Sequence, residues 1–463
     1  MMLLKSFCIS LLTLSALLIH MNGIAQKIKV QQKLPEKTRI LFVLDASGSM
    51  QAIWEGTTSR MDAAKAILTK LVDSLQSNKN LELALRVYGH RFPRQANNCQ
   101  DSYLEVPFGT KNHNIIINKL KDIKPIGTTP ITYSLTQAAK DFPANAGYRN
   151  ILILITDGIE SCGGDPCVTS LELQRKGIFL RPFVIGLGLK GSQVLDCVGK
   201  FVNAESKSQF NKQLNSTIET SFSKTTVSVE LLDGNGEPTE TNADVTFINS
   251  TTGLSMYEFI HYLDSNGKPD SVQIDPVLSY DVIVNTLPKV VKQNVNLVNG
   301  KHNIVSISVP QGNIVAKQEA RSRNELTVVV REKGKSQILN TQKGTDSFRY
   351  LVGSYEVETL TMPRRIFDVE VKANKTSNVW LPTPGLVNIN TISAGYGSLF
   401  EMLPDGTQQW VYNLDQNQTQ QTLTLLPGNY KIAFRIRDTK GSKYTGVKNF
   451  QIKSGQTVSI SLF

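Results

Sequence analysis

The chain changes texture about half-way along. Up to residue 222, apolar runs that suit strands alternate with segments whose apolar positions recur every three or four residues, which suit helices. Leu41 to Leu44 is continuously apolar and ends on Asp45, and Ile151 to Ile155 leads through Thr156 to Asp157. Runs of this kind fit strands covered on both faces, as in parallel sheets. Leu81, Leu83, Leu85 and Val87 alternate along a further strand. Met61, Ala64, Ile67, Leu68, Leu71, Val72 and Leu75 mark an amphipathic helix. Residues 113–121, 131–140 and 208–222 also read as helices. Asp165-Pro166 reads as a helix start, with an acid at the cap and proline first inside. Short strands are expected at Phe183-Val184-Ile185 and Phe201-Val202.

Past residue 223 helical periodicity stops, and short alternating strands appear between turns such as Asp233-Gly234-Asn235-Gly236 and Pro427-Gly428-Asn429. Tyr280, Tyr355 and Tyr430 recur at a spacing of 75 residues, in "LSYDVIV", "GSYEVET" and "GNYKIAF". Each is followed by a second alternating strand, and proline-glycine joints stand at Pro310-Gln311-Gly312 and Pro382-Thr383-Pro384-Gly385. Three β-sandwich modules in series are expected, at residues 224–311, 312–384 and 385–463, with the tyrosines as core or corner residues. Ahead of them, residues 37–222 fit one α/β domain with a Rossmann-like, doubly wound, mostly parallel sheet.

Residues 1–25 stand apart. Lys5, a long apolar stretch and Gly23-Ile24-Ala25 read as a signal peptide cleaved before Gln26, with a retained membrane anchor as the alternative. No later segment is apolar enough for long enough to serve as an integral membrane span. Export suits the cysteines. Cys99, Cys162, Cys167 and Cys197 make an even set, expected to form two disulfides in one of three pairings and to staple the first domain only. Zinc is the competitor, on loose ligand spacing. Residues 26–222 hold 25 Lys or Arg against 17 Asp or Glu, a net of +8 that favours acidic partners. No nucleic-acid motif accompanies that charge, so a nucleic-acid partner is not expected.

The chemistry gathers at strand ends. Asp45 and Asp157 each close an apolar strand, and the carboxyl edge of a parallel sheet is where such folds bind ligands. Ser47 and Ser49 follow Asp45 at every second position, on one side if the loop stays extended. Gly127-Thr128-Thr129-Pro130 precedes a helix. If the two strands are neighbours, Asp45, Ser47, Ser49, Thr129 and Asp157 meet above the sheet as an all-oxygen set, which hard divalent cations favour. A polar turn bonded to its own backbone is the plain alternative for residues 45–48.

Asp45-x-Ser47-x-Ser49, Thr129 in a Gly-x-Thr-Pro loop and Thr156-Asp157-Gly158 resemble the metal-ion-dependent adhesion site (MIDAS) of the von Willebrand factor A (VWA) domain. The likeness spans residues 37–222, and "YGH…C", "TDGIESCGGDPC" and "VIGLGL…LDCV" resemble its bacterial exported branch. The resemblance implies that Ser47, Ser49 and Thr129 touch the metal while Asp45 and Asp157 act largely through water. It implies Mg²⁺, with Mn²⁺ or Ca²⁺ as alternatives, and a protein partner whose Asp or Glu carboxylate completes the coordination. An acidic glycan is a second kind of partner, and carbohydrate or cell-wall binding through the sandwiches is the alternative function.

Other signals are weaker. Gly186 to Gly191 fits G-x-G-x-x-G but comes too late in the fold for a dinucleotide site, and reads as a turn. No H-E-x-x-H or G-x-S-x-G motif occurs, and neither serine has a recognisable base, so no enzyme activity is expected. His90 and His113 read as surface residues, and Trp54 as either a partner contact or core.

Overall fold

The computed structural model describes residues 37–144, 147–175, 184–187, 201–222, 224–276, 278–320, 326–344 and 346–462. The expected signal peptide at 1–25, Cys197 and residues 188–191 of the glycine-rich turn lie outside the described residues.

Among the described residues of the first half, strands β1 (Lys37–Asp45), β2 (Ile53–Glu55), β3 (Thr58–Ser59), β4 (Leu81–Tyr88), β5 (Ser102–Gly109), β6 (Tyr148–Thr156), β7 (Val184–Leu187) and β8 (Phe201–Ala204) accompany five helices. These are α1 (Arg60–Ser74), α2 (His113–Asp122), α3 (Ile131–Asp141), α4 (Pro166–Arg175) and α5 (Lys207–Phe222). The main sheet runs β5-β4-β1-β6-β7-β8. Among its described strands β5 alone is antiparallel, paired to β4 at the edge.

Burial on both faces explains the apolar runs. Ile40, Phe42 and Leu44 face one core layer with α1, α2 and α5, while Leu41 and Val43 face another with α3 and α4. Leu81, Leu83, Leu85 and Val87 lie together in the first layer, as their alternation predicts. Asp165 Oδ1 accepts the N–H groups of Cys167 (2.8 Å) and Val168 (3.2 Å), capping α4. Trp54 packs into the first layer with its ring edge-on to Phe210, so core packing accounts for it. Gly186 and Leu187 belong to β7 rather than to a turn.

The second half is a β architecture repeated three times. The first copy comprises β9 (Thr225–Leu232), β10 (Asp244–Asn249), β11 (Ser255–Ile260), β12 (Val272–Ile274), β13 (Tyr280–Val284), β14 (Val290–Val295) and β15 (His302–Ser308). They form sheets ordered β12-β9-β15 and β11-β10-β13-β14, with β9 and β15 parallel. Residues 311–381 and 385–462 repeat that order strand for strand. Even the bulge in the second strand recurs, at Phe247/Ile248, Val330/Arg331 and Leu399/Phe400. The evenly spaced tyrosines are buried in the fifth strand of each copy. Their hydroxyls donate to backbone carbonyls just upstream: Tyr280 to Asp275 (2.8 Å), Tyr355 to Leu351 (2.7 Å) and Tyr430 to Leu426 (2.6 Å). They are corner residues.

Arginine–carboxylate pairs, each with a buried carboxylate, stand where units meet. Arg149, on β6, donates to Asp275 in the corner of the first copy, Nε to Oδ2 at 2.8 Å and Nη2 to Oδ1 at 2.5 Å. Arg349 pairs with Glu240 between the first and second copies, and Arg365 with Glu401 between the second and third.

Candidate metal centre

The carboxyl edge between β1 and β6 is a switch point, because the chain leaves β1 toward β4 on one side while β6 pairs on the other. Asp45 ends β1, and Asp157 follows β6. Asp45 is fully buried and held on both oxygens: Oδ1 accepts the Ser47 N–H at 2.7 Å and Oδ2 the Thr156 hydroxyl at 2.6 Å. The Ser47 and Ser49 hydroxyls lie 3.0 Å apart, and Ser49 donates to Asp157 Oδ1 at 2.8 Å. The segment after Ser47 is not extended, because Gly48–Gln51 winds into a 3₁₀ turn. The tighter turn still brings the two hydroxyls together, by a different path from period-two alternation.

Three loops are stitched under these side chains. Gly48 N–H donates to Gly127 O at 2.9 Å, Ala46 N–H to Tyr88 O at 2.8 Å, and Gly127 N–H to Gly89 O at 2.8 Å. Gly89 has φ +70°, and a Cβ there would fall 2.5 Å from Thr128 O. Only glycine fits that crossing. The stitching delivers Thr129 to the site. A methyl at Gly158 would lie 3.6 Å from Thr129 Oγ1 and 3.8 Å from Ser49 Oγ, so both hydroxyls border one space that Gly158 leaves open. All five side chains singled out in the sequence therefore share one locale.

Arg60 escaped the sequence reading. It opens α1, after Ser59 caps the helix by accepting the Asp62 N–H at 3.1 Å, and its Nη1 donates to Asp157 Oδ2 at 2.7 Å. No spacing rule marks it, since an arginine at a helix start looks like solvated surface. The arrangement leaves Asp157 with one oxygen on a cation and one on Ser49.

The residues fit a hard divalent cation. Among the described residues no three His, Cys, Asp or Glu side chains gather, so hydroxyls must complete any such set, and here they do. Asp45 forms no ion pair among the described residues, and its carboxyl is pushed up to about 6, first by burial and then by the charge of Asp157, against the bonds from Thr156 and Ser47. Two interacting carboxylates, with one cationic side chain on Asp157 alone, favour additional positive charge.

Around the rim, Cys99 and Cys162 form a disulfide that ties the segment after β4 to the segment after β6. Cys167 is disulfide-bonded as well. His90 and His113 are not surface residues. The His90 ring is mostly buried with Nε2 2.8 Å from Glu105, and His113 is buried at the start of α2, where burial lowers its pKa. Glu105, on β5, also accepts from Arg91 (2.6 Å) and Lys119 (2.7 Å). Burial pushes its carboxyl up, but these partners outweigh burial and hold it down at about 2.

The family model described as von Willebrand factor type A domain matches residues 40–160. Two Bacillus subtilis (strain 168) relatives align over 189 residues each. The Uncharacterized protein YwmD is 30% identical over 38% of this chain and 82% of its own length, and the Uncharacterized protein YwmC is 31% identical over 39% and 80%. The chain belongs to the von Willebrand factor type A domain family. The VWA match covers β1 to the loop after β6, which contains all five candidate residues. Among solved structures, conserved hypothetical protein BatB from Bacteroides thetaiotaomicron is similar at 19% identity and TM-score 0.31, over 39% of this chain and 97% of its own.

Proposed function

We propose that the chain is an exported, non-enzymatic binding protein whose VWA domain captures an acidic group of a protein partner through a divalent cation, Mg²⁺ or alternatively Mn²⁺ or Ca²⁺. The observation that carries this reading is the meeting of Ser47, Ser49, Thr129, Asp45 and Asp157 at one sheet edge. Ser47, Ser49 and Thr129 would hold the cation directly, with Asp45 and Asp157 behind them. The cation supplies an electrophilic position that a partner's Asp or Glu carboxylate fills. The chain's own residues orient the cage: Thr156 and the Ser47 amide fix Asp45, and Ser49 and Arg60 fix Asp157.

Support for binding over catalysis comes from the serines. Among the described residues their hydroxyls bond to each other and to Asp157, with no histidine in reach as a base. The net +8 of residues 26–222 draws acidic partners. Export rests on the signal-like start and on disulfide bonding in this domain. Among the described residues no helix is long and apolar enough to cross a membrane.

The test is Mg²⁺ calorimetry and Mn²⁺ paramagnetic resonance on the full chain, with capture on an immobilised Asp- and Glu-rich peptide. Asp45→Ala is expected to abolish cation binding, Thr129→Ala to weaken it at least tenfold, and EDTA to release the peptide. Equal cation affinity in Asp45→Ala and the parent chain would sink the proposal.

A further inference from the structure

The third sandwich differs from its two siblings on one face. Register against the corner tyrosines aligns the copies residue by residue. Tyr396 stands where the others have Thr327 and Asp244, and Phe400 where they have Arg331 and Ile248. Trp410, opposite Phe400, stands where they have Ile338 and Ser255. Two copies fold without aromatic side chains there, so the fold does not need them. All three lie on the outer side of the four-stranded sheet, with Tyr396 48% and Trp410 57% exposed.

The charge has changed as well. Lys431 replaces Glu356 and Asp281, and Arg435 replaces Leu360 and Asn285. The Lys431 ammonium lies 5.9 Å from the centre of the Phe400 ring, and the Arg435 guanidinium 5.6 Å from that of Tyr396. Among the described residues neither cation is ion-paired, and Arg435 is held instead by the backbone carbonyl of Thr439. Between Tyr396 and the loop at 413–417 runs a cleft of about 650 Å³. Ser398, Asn413, Asp415 and Thr445 line it with short groups that donate and accept. The Asn413 carbonyl oxygen accepts from Trp410 Nε1 (2.9 Å) and Ser398 (2.8 Å), which leaves its amide N–H groups for a ligand.

We propose that this face of the third sandwich binds an acidic polysaccharide. Flat aromatic rings match the apolar faces of pyranose rings, the amide, carboxylate and hydroxyl groups of the cleft match sugar hydroxyls, and the cations resting on the rings match a carboxylate carried by the sugar. Residues 385–463 carry only 7 Lys or Arg against 4 Asp or Glu, a basic excess too small to favour a phosphate backbone. The site is independent of the VWA cation.

Affinity electrophoresis of the full chain through gels cast with polygalacturonate, alginate or dextran tests the assignment, in EDTA throughout. Retardation by at least one of the acidic polymers and not by dextran is expected. Tyr396→Ala and Trp410→Ala should each weaken it about tenfold or more, and Lys431→Glu should weaken it with the rings intact. Trp380→Ala, which removes an equally exposed tryptophan on the second sandwich, should leave it unchanged. The exposed positions allow folding to be checked by unchanged thermal midpoints. The assignment is overturned by no retardation with any acidic polymer, by equal retardation in dextran, by retardation that Tyr396→Ala and Trp410→Ala leave intact, or by displacement with single-stranded oligothymidine.

Discussion

Glu105 collects His90, Arg91 and Lys119 on one carboxylate beside the loops that build the metal cage. Its carboxyl sits at about 2 in the fold against an ordinary 4.5. A depressed carboxylate stabilises the fold fully above its unfolded value and loses that contribution as pH falls through the folded one. Glu105→Gln is therefore expected to lower stability by about 1–3 kcal/mol at neutral pH, the scale of a lost charge-assisted hydrogen bond. The gap between variant and parent in urea-melt titrations should narrow as pH drops from 4.5 toward 2. At this scale the sequence was informative about one kind of residue. Asp45, Ser47, Ser49, Thr129 and Asp157 stood out because each breaks an apolar pattern at a strand or helix end. Arg60, His90 and Glu105 did not, because their meaning lies in partners distant along the chain, and a lone charged or imidazole side chain in sequence looks the same buried or exposed.

Gly158 shows what the loops contribute as elements. Its missing side chain leaves the space bordered by Thr129 and Ser49, and its backbone needs no left-handed conformation. Gly158→Ala is expected to fold with unchanged stability, within about 0.5 kcal/mol as for substitutions in ordinary contact. It should nevertheless lower Mg²⁺ affinity at least threefold, because the methyl occupies room that the cation and its waters need. Calorimetry and a thermal melt on the same sample separate the two effects. Most elements here were readable from periodicity: α1 begins one residue before Met61, and β4 has the limits its alternation suggested. The edge strand β5 was not, since Ser102–Gly109 has neither strict alternation nor a continuous apolar run. The 3₁₀ turn at Gly48–Gln51 also escaped, because small polar residues suit a turn and an extended loop equally.

Across the whole molecule, the tyrosine spacing disclosed the repeat long before any topology, since a corner hydrogen bond needs the same residue at the same register each time. The couplings between units were invisible, because Arg149 and Asp275 are 126 residues apart. Arg149→Ala leaves a buried carboxylate without its guanidinium, which costs about 3–5 kcal/mol. The expected outcome is a VWA domain that still folds but pivots on the first sandwich, seen as a larger radius of gyration in solution X-ray scattering, with cation affinity unchanged.

Strand β6 has a different job at each end. Its amino end carries the Arg149 clamp, and its carboxyl end, roughly 23 Å away at a strand's rise per residue, delivers Asp157 to the cage. A chain gripped at the cage and anchored through its sandwiches would carry tension lengthwise down this strand. Its ladder with β1 would then be loaded in shear, many hydrogen bonds resisting together, rather than peeled open one at a time.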